Sequence, residues 1–109
     1  MTEESDPMSI DAEKLRKMIA VHVRFLLFDL RSLEAFEKGH IAGASHVPKA
    51  TFLTELRSLI PTIDTPVVIY DEGGIGVLDA IVVAEKLGYI NIVYLEGGFE
   101  HWKGDAPLR

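Results

Sequence analysis

Short apolar runs alternate with amphipathic segments along this chain of 109 residues. Four segments are predicted as strands: 25–28, 45–47, 67–70 and 90–95. Apolar positions with a 3.6-residue period, or short segments between turn signals, predict helices over 9–19, 33–38, 50–60 and 77–87, and a last short helix that carries Phe99 and Trp102. Strands that alternate with helices predict an α/β fold, in which a mostly parallel sheet lies between helices.

Several of the predicted helices begin and end at residues with suitable capping chemistry. Asp11 predicts the N-cap of the first helix and Ser32 that of the second. Gly39 predicts a left-handed C-cap for the second helix, because glycine tolerates positive φ. Pro61 ends the third helix and Gly88 the fourth.

Composition and charge mainly exclude classes of function. The net charge of −6 argues against a nucleic-acid partner, since phosphate binding needs clustered Lys and Arg. No apolar run approaches the ~20 residues that span a membrane, so no membrane partner is expected. The chain has no cysteine, which excludes thiol nucleophiles and fits a reducing, cytoplasmic setting. We expect one domain over residues 8–109, preceded by a short flexible tail over residues 1–7.

Acidic residues follow three of the predicted strands. Asp29, Asp71 and Glu96 each come directly after a strand, and ligands of parallel α/β sheets bind beyond the carboxyl ends of the strands. A glycine-rich loop between a strand and a helix can also present backbone N–H groups to an anion. That loop begins at Asp71 and continues through Glu72, Gly73, Gly74, Ile75, Gly76 and Val77.

A glycine-rich turn follows the second predicted helix. Gly39 and Gly43 suit its tight backbone, and His40 lies between them. We expect His40 to order the turn by hydrogen bonding rather than to act as a base, since no nucleophile lies nearby in the sequence. Asp29 and Arg31 are expected to form a structural ion pair that fastens this loop.

A second turn, formed by Gly97 and Gly98, precedes the last helix. Trp102 comes four residues after Gly98. A large aromatic side chain at this place is expected to anchor the helix to the core rather than to stack on a substrate.

Taken together, these segments resemble the rhodanese-like (sulfurtransferase) domain family in its single-domain form. Members carry an Asp-x-Arg strand end and a Gly-His-Ile-x-Gly-Ala turn, which residues 29–31 and 39–44 match. They also close on Gly-Gly-x-x-x-Trp, which residues 97–102 match. The resemblance covers about residues 8–109 and implies a three-layer α/β/α fold with a five-stranded parallel sheet.

The resemblance fails at the active loop. In the family the preceding strand ends in a Cys that becomes a persulfide, followed by an Arg and a hydroxyl residue at the fifth and sixth positions after it. Asp71 occupies the Cys position, Gly76 the Arg position and Val77 the hydroxyl position, and only Gly74 matches. A carboxylate cannot carry sulfane sulfur as a thiolate does. We therefore expect no catalytic residue, and a module that binds or regulates an unknown protein or small molecule.

The loop suggests another task for the acid at its head. If the backbone of Gly73, Gly74 and Gly76 forms a cradle of N–H groups, the Asp71 carboxylate would act as a built-in anion there. Glu72 beside it would oppose anionic sulfur donors. A solvated acid at the mouth of the loop is the alternative interpretation.

Other chemistries remain open at this stage. Asp71 could serve as nucleophile or base in hydrolysis or phosphoryl transfer, although the loop offers no basic group for a phosphate. A receiver-like phospho-acceptor also places an Asp after a central strand, but an acidic pair after the first strand is missing here. Dinucleotide binding is disfavoured because Asp79 stands where a third glycine is needed. His40, His46 and nearby acids lack a metal-ligand spacing, so neither a metal nor another cofactor is expected.

Overall fold

The computed structural model describes residues 8–105 and places five strands in one parallel sheet. The strands are β1 Ser9–Ile10, β2 Leu26–Asp29, β3 Ser45–His46, β4 Val67–Tyr70 and β5 Ile92–Leu95. The helices are α1 Ala12–Ala20, α2 Leu33–Lys38, α3 Lys49–Leu59, α4 Leu78–Lys86 and α5 Gly98–Asp105. The predicted α/β fold with a five-stranded sheet is confirmed, whereas the predicted tail over residues 1–7 lies outside the described residues.

The sheet has the strand order β1-β5-β4-β2-β3, which makes β4 the central strand. All four residues of β4 are buried, and their side chains alternate between two separate hydrophobic clusters. Val67 and Ile69 belong to one cluster, while Val68 and Tyr70 belong to the other. The continuous apolar run at 67–70 is therefore explained by a strand that is covered on both faces.

The two clusters define the layers of the fold. One face of the sheet is covered by α3 and α4, which contribute Phe52 and Ile81 to the first cluster. The opposite face is covered by α1 and α5, which contribute Leu15 and Phe99 to the second cluster. Within residues 8–105, no helix has the length and apolar character that crossing a membrane would require.

The start of the first helix differs from the sequence prediction, which placed Ser9 in a helix. Ser9 and Ile10 instead form an edge strand that pairs with Tyr94 and Leu95 of β5. The helix begins after Asp11, whose side chain accepts a hydrogen bond from the backbone N–H of Lys14 at 2.8 Å. A strand of two residues has no detectable local period, and its partner lies far away in the sequence.

The end of α2 also differs from the prediction of a left-handed cap. Gly39 has a φ of 163°, which is extended backbone that any residue adopts. Its carbonyl accepts a hydrogen bond from Nη2 of Arg31 at 2.7 Å, so a distant side chain holds this turn. The predicted N-cap at the other end is confirmed, because the Ser32 hydroxyl accepts a hydrogen bond from the N–H of Ala35.

Candidate functional site

The carboxyl ends of β2 and β4 lie side by side at one edge of the sheet, where Asp29 is in register with Tyr70. Asp29 is the last residue of β2 rather than the residue after it, and the acids at the strand ends have different surroundings. Asp29 is fully buried, whereas Asp71 is half-buried at the head of the loop. Glu96 is not part of this site, because its carboxylate accepts a hydrogen bond from Ser9 on the edge strand β1. The structure therefore brings together Asp29 and the loop, but not Glu96.

Asp29 and Arg31 form a buried ion pair with several hydrogen bonds. The Asp29 carboxylate accepts hydrogen bonds from Nη2 and Nε of Arg31 at 2.7 and 3.0 Å, and from the backbone N–H of Arg31 at 2.9 Å. Burial lowers the pKa of Arg31, but the hydrogen bond to Asp29 and its charge outweigh this effect and raise it. Since Nη2 also bonds Gly39, the pair ties the end of β2 to the turn after α2.

The Arg31 guanidinium packs against two buried aromatic rings, one on β4 and one on α5. Its central carbon lies 4.1 Å from the ring centroid of Phe99 and 5.8 Å from that of Tyr70, within the range of cation–π attraction. Burial raises the pKa of Tyr70, so the hydroxyl stays neutral, and its oxygen accepts the N–H of Ile41. The guanidinium is therefore fixed in position by both charge and packing.

The two histidines near the site make local hydrogen bonds to carbonyl groups. Nδ1 of His40 lies 2.8 Å from the carbonyl oxygen of Phe36, and Nε2 of His46 lies 2.7 Å from that of Arg31. A carbonyl only accepts, so these ring nitrogens carry the hydrogens. His40 also stacks on the Phe36 ring at 3.8 Å between centroids. His40 therefore orders the turn after α2, whereas His46 ties β3 to the segment after β2. In the described part of the chain no cluster of three or more potential ligands is arranged for a metal ion.

The Asp71 side chain turns back into its own loop. Its Oδ1 accepts a hydrogen bond from the backbone N–H of Gly74 at 2.6 Å. Its Oδ2 lies so close to Gly76 that a Cβ built on that residue would be 2.6 Å away. Gly74 has a φ of +87°, and a Cβ there would lie 2.7 Å from the backbone nitrogen of Gly97. The carboxylate thus occupies the inside of the loop, with Gly74 as its N–H donor.

The first turn of α5 holds the loop through two backbone hydrogen bonds. The N–H of Phe99 donates to the carbonyl of Asp71 at 2.8 Å, and that of Glu100 donates to the carbonyl of Glu72 at 2.9 Å. Gly98 allows this approach, because a Cβ there would lie 2.6 Å from both carbonyl oxygens. The N–H groups that begin a helix lack partners within it, and here the loop supplies them.

Charged side chains from other elements also reach the loop. Nη1 of Arg31 donates to the Glu72 carboxylate at 3.1 Å, so the charge of Glu72 is paired. Nζ of Lys49 donates to the carbonyl of Gly76 at 3.0 Å and to Asp79 at 3.1 Å. Sequence reasoning missed Lys49 and the Arg31–Glu72 pair. Neither has a local signal, because each partner comes from a distant segment.

Two adjoining cavities open along this edge, and we call them together the loop groove. The first has a volume of about 410 Å³ and is lined by residues that include Lys49, Asp71 and Gly76. The second has a volume of about 230 Å³ and is lined by the following residues: Arg31, Ala35, Lys38, Gly39, Glu72, Phe99 and Lys103. Both cavities share Arg31, Ala35 and Glu72, so the groove is continuous.

Trp102 lines neither cavity of the loop groove. It is 7% exposed and packs in the cluster between the sheet, α1 and α5. The Arg16 guanidinium lies 5.6 Å from its ring centroid. The packing of Trp102 ties α5 to the core, and its ring also lines a separate cavity of about 340 Å³ together with His40 and Arg16.

Removing the Asp71 carboxylate is expected to lower the free energy of unfolding by about 1–2 kcal/mol, because the Gly74 N–H loses a charge-assisted hydrogen bond. Urea denaturation of Asp71→Ala beside the wild type measures this. Asp71→Asn retains an acceptor oxygen, so its loss should be smaller. An unchanged unfolding midpoint in Asp71→Ala would contradict the built-in anion.

Comparisons with known proteins agree with this geometry. The family model of rhodanese-like domains matches residues 11–105. The thiosulfate sulfurtransferase GlpE of Pseudomonas fluorescens (strain SBW25) is 30% identical over 98 residues, which cover 90% of this chain and 84% of that protein. The structure of the human single-domain sulfurtransferase TSTD1 has a TM-score of 0.80 and 25% identity, and the match covers 93% of this chain and 99% of that one. The structure of a rhodanese-like domain protein from Staphylococcus aureus has a TM-score of 0.78 and 27% identity, and the match covers 93% of this chain and 95% of that one.

Proposed function

Because the chain belongs to the rhodanese-like domain family, we propose that it is a non-catalytic member that binds a protein or small ligand at the loop over residues 71–77. The observation that carries the proposal is the absence of cysteine from all 109 residues. Sulfur transfer through a persulfide needs a thiolate, and the head of the loop carries the carboxylate of Asp71 instead. On this proposal the chain lacks thiosulfate sulfurtransferase activity.

The contacts of the loop support a binding task. Asp71 accepts the Gly74 N–H, so that group is already engaged when an anionic donor approaches. Glu72 is paired with Nη1 of Arg31, so this N–H group is also already engaged by a carboxylate of the chain itself. The backbone is nevertheless held in a defined shape by α5. A loop of defined shape without a nucleophile suits recognition better than turnover.

The wild-type chain is expected to produce no thiocyanate above background from thiosulfate and cyanide. Asp71→Cys is expected to take up one sulfur atom from thiosulfate, visible by intact-mass measurement. In that step the new thiolate attacks the outer sulfur of thiosulfate, the sulfur–sulfur bond of the donor breaks, and sulfite leaves with the electron pair. The Gly74 N–H, freed from the carboxylate, would stabilise the thiolate and the persulfide.

Glu72→Cys is the matched control, because it places a thiol one residue further along the same loop and away from the Gly74 N–H. We expect it to gain less sulfur than Asp71→Cys under identical conditions. Thiocyanate formation by the wild-type chain would overturn the proposal. Equal sulfur uptake by both variants would show that the loop geometry around residue 71 has no special role.

A further inference from the structure

We infer that the loop groove docks an acidic segment of a partner protein, whose carboxylates bind beside Lys38 and Lys103 and at Arg31. The inference rests on the proposed function, since it names the chemistry of the ligand that the loop would bind.

One end of the groove carries two lysines. Lys38 lies in the last turn of α2 and Lys103 in the last turn of α5, and both line the second cavity. Among the side chains of residues 8–103, no carboxylate lies within salt-bridge distance of either lysine, although the chain carries 17 acidic residues. Ala35 and Phe99 supply apolar surface between them. This end therefore suits a carboxylate that is attached to an apolar stem.

The middle and the other end of the groove carry exchangeable ion pairs. The Glu72 side chain is 54% exposed, whereas that of Arg31 is 6% exposed, so Glu72 can leave while Arg31 stays in place. Lys49 and Asp79 are 41% and 59% exposed, and pairs of this kind contribute little stability. A carboxylate of a partner can therefore replace Glu72 on Nη1 of Arg31 at small cost.

The length of the groove favours a chain segment over a small anion. The two cavities of about 410 and 230 Å³ are continuous through Arg31, Ala35 and Glu72. A ligand that contacts both Lys49 and Lys103 must extend through both cavities, which one small dianion cannot do. The chain as a whole carries −6, so the attraction must arise within the groove, over about one Debye length of ~10 Å.

The test is an NMR titration of the isotope-labelled chain with the blocked peptide Glu-Ala-Glu-Ala-Glu-Ala in ~0.1 M salt, where the Debye length is ~10 Å. We expect shifts of the amide signals that line the groove, and binding that weakens as salt is added. Lys38→Glu and Lys103→Glu should each weaken binding by about 5- to 20-fold, because an attraction is replaced by a repulsion. Lys86→Glu is the matched control, since Lys86 is an exposed lysine in the last turn of α4, and it should change the affinity less than ~2-fold.

Three results would overturn the inference: no shifts with the peptide, equal binding of the peptide with Gln in place of Glu, or equal weakening by Lys86→Glu. A fourth is a thiosulfate or sulfate titration that reproduces the same Lys38-dependent shifts with an affinity equal to that of the peptide, which would assign the cavity to a small anion. These results are independent of the thiocyanate assay. A failed titration with no thiocyanate formed would remove the acidic partner and leave the non-catalytic proposal standing.

Discussion

The Asp29→Ala variant is expected to lose about 3–5 kcal/mol of its free energy of unfolding, which is close to the whole stability of many small domains. The Asp29 carboxylate is fully buried and accepts hydrogen bonds from three donors of Arg31, which are the backbone N–H, Nε and Nη2. Without it, the hydrogen bonds that the described residues still offer the buried guanidinium are those to the Gly39 carbonyl and the half-exposed Glu72. The large expected loss reflects this stranded charge rather than the net value of the ion pair.

Urea denaturation followed by circular dichroism measures the effect. Asp79→Ala is the control, because it also removes a carboxylate from an ion pair, but one whose side chain is 59% exposed, and we expect a loss below ~1 kcal/mol. If Asp29→Ala does not fold, Asp29→Asn keeps the shape and one acceptor and gives a measurable intermediate loss. Equal losses for Asp29→Asn and Asp79→Ala would contradict the argument.

The Gly98→Ala variant is expected to lose about 2–4 kcal/mol and to displace the loop. Gly98 has a φ of +63°, and a Cβ there would lie 2.6 Å from the carbonyl oxygens of Asp71 and Glu72. These are backbone atoms, so they can yield only if the hydrogen bonds from Phe99 and Glu100 are broken. The cost therefore combines strain at positive φ with the loss of the contact between α5 and the loop.

Substitutions at two other glycines, Gly43 and Gly73, separate the cost of strain at positive φ from the cost of the steric clash. Gly43 has a φ of +91° but nothing within 4 Å of a built Cβ, so Gly43→Ala carries the strain alone, about 1 kcal/mol. Gly73 lies in the loop without positive φ and without a close neighbour, so Gly73→Ala should be nearly neutral. Urea unfolding midpoints rank the three variants. Apart from the residues next to each substitution, the amide signals of the loop should move only in Gly98→Ala. If Gly98→Ala loses no more stability than Gly43→Ala, the carbonyl groups of Asp71 and Glu72 can move aside without cost, which would contradict the prediction.

The elements of the fold could largely be predicted because their signals are local. The apolar run at 67–70 is a strand buried on both faces, and the caps at Asp11 and Ser32 satisfy helix N–H groups within three residues. The strand Ser9–Ile10 could not be predicted, since only its pairing with Tyr94 and Leu95 makes it a strand.

The candidate site was predictable only in part, for the same reason. The position of Asp71 at the end of a strand is a local property. The contacts that surround the loop join segments far apart, such as Arg31 with Glu72 and Lys49 with Gly76. Lys38 and Lys103 meet at one cavity only because α2 and α5 end near each other. No spacing in the sequence indicates these long-range contacts, so the groove could not be predicted before the fold was known.

The two N–H groups of α5 that bond the loop carbonyls have a thermodynamic consequence. Ordering a backbone costs about 1–2 kcal/mol of conformational entropy per residue, and in this loop that loss accompanies folding itself. A partner that binds the loop groove therefore meets a surface that is already ordered, and less of its interaction energy is used to immobilise the site. Because α5 fixes the backbone from outside the loop, the exposed side chains of Glu72 and Ile75 can change what the surface recognises without changing the course of that backbone.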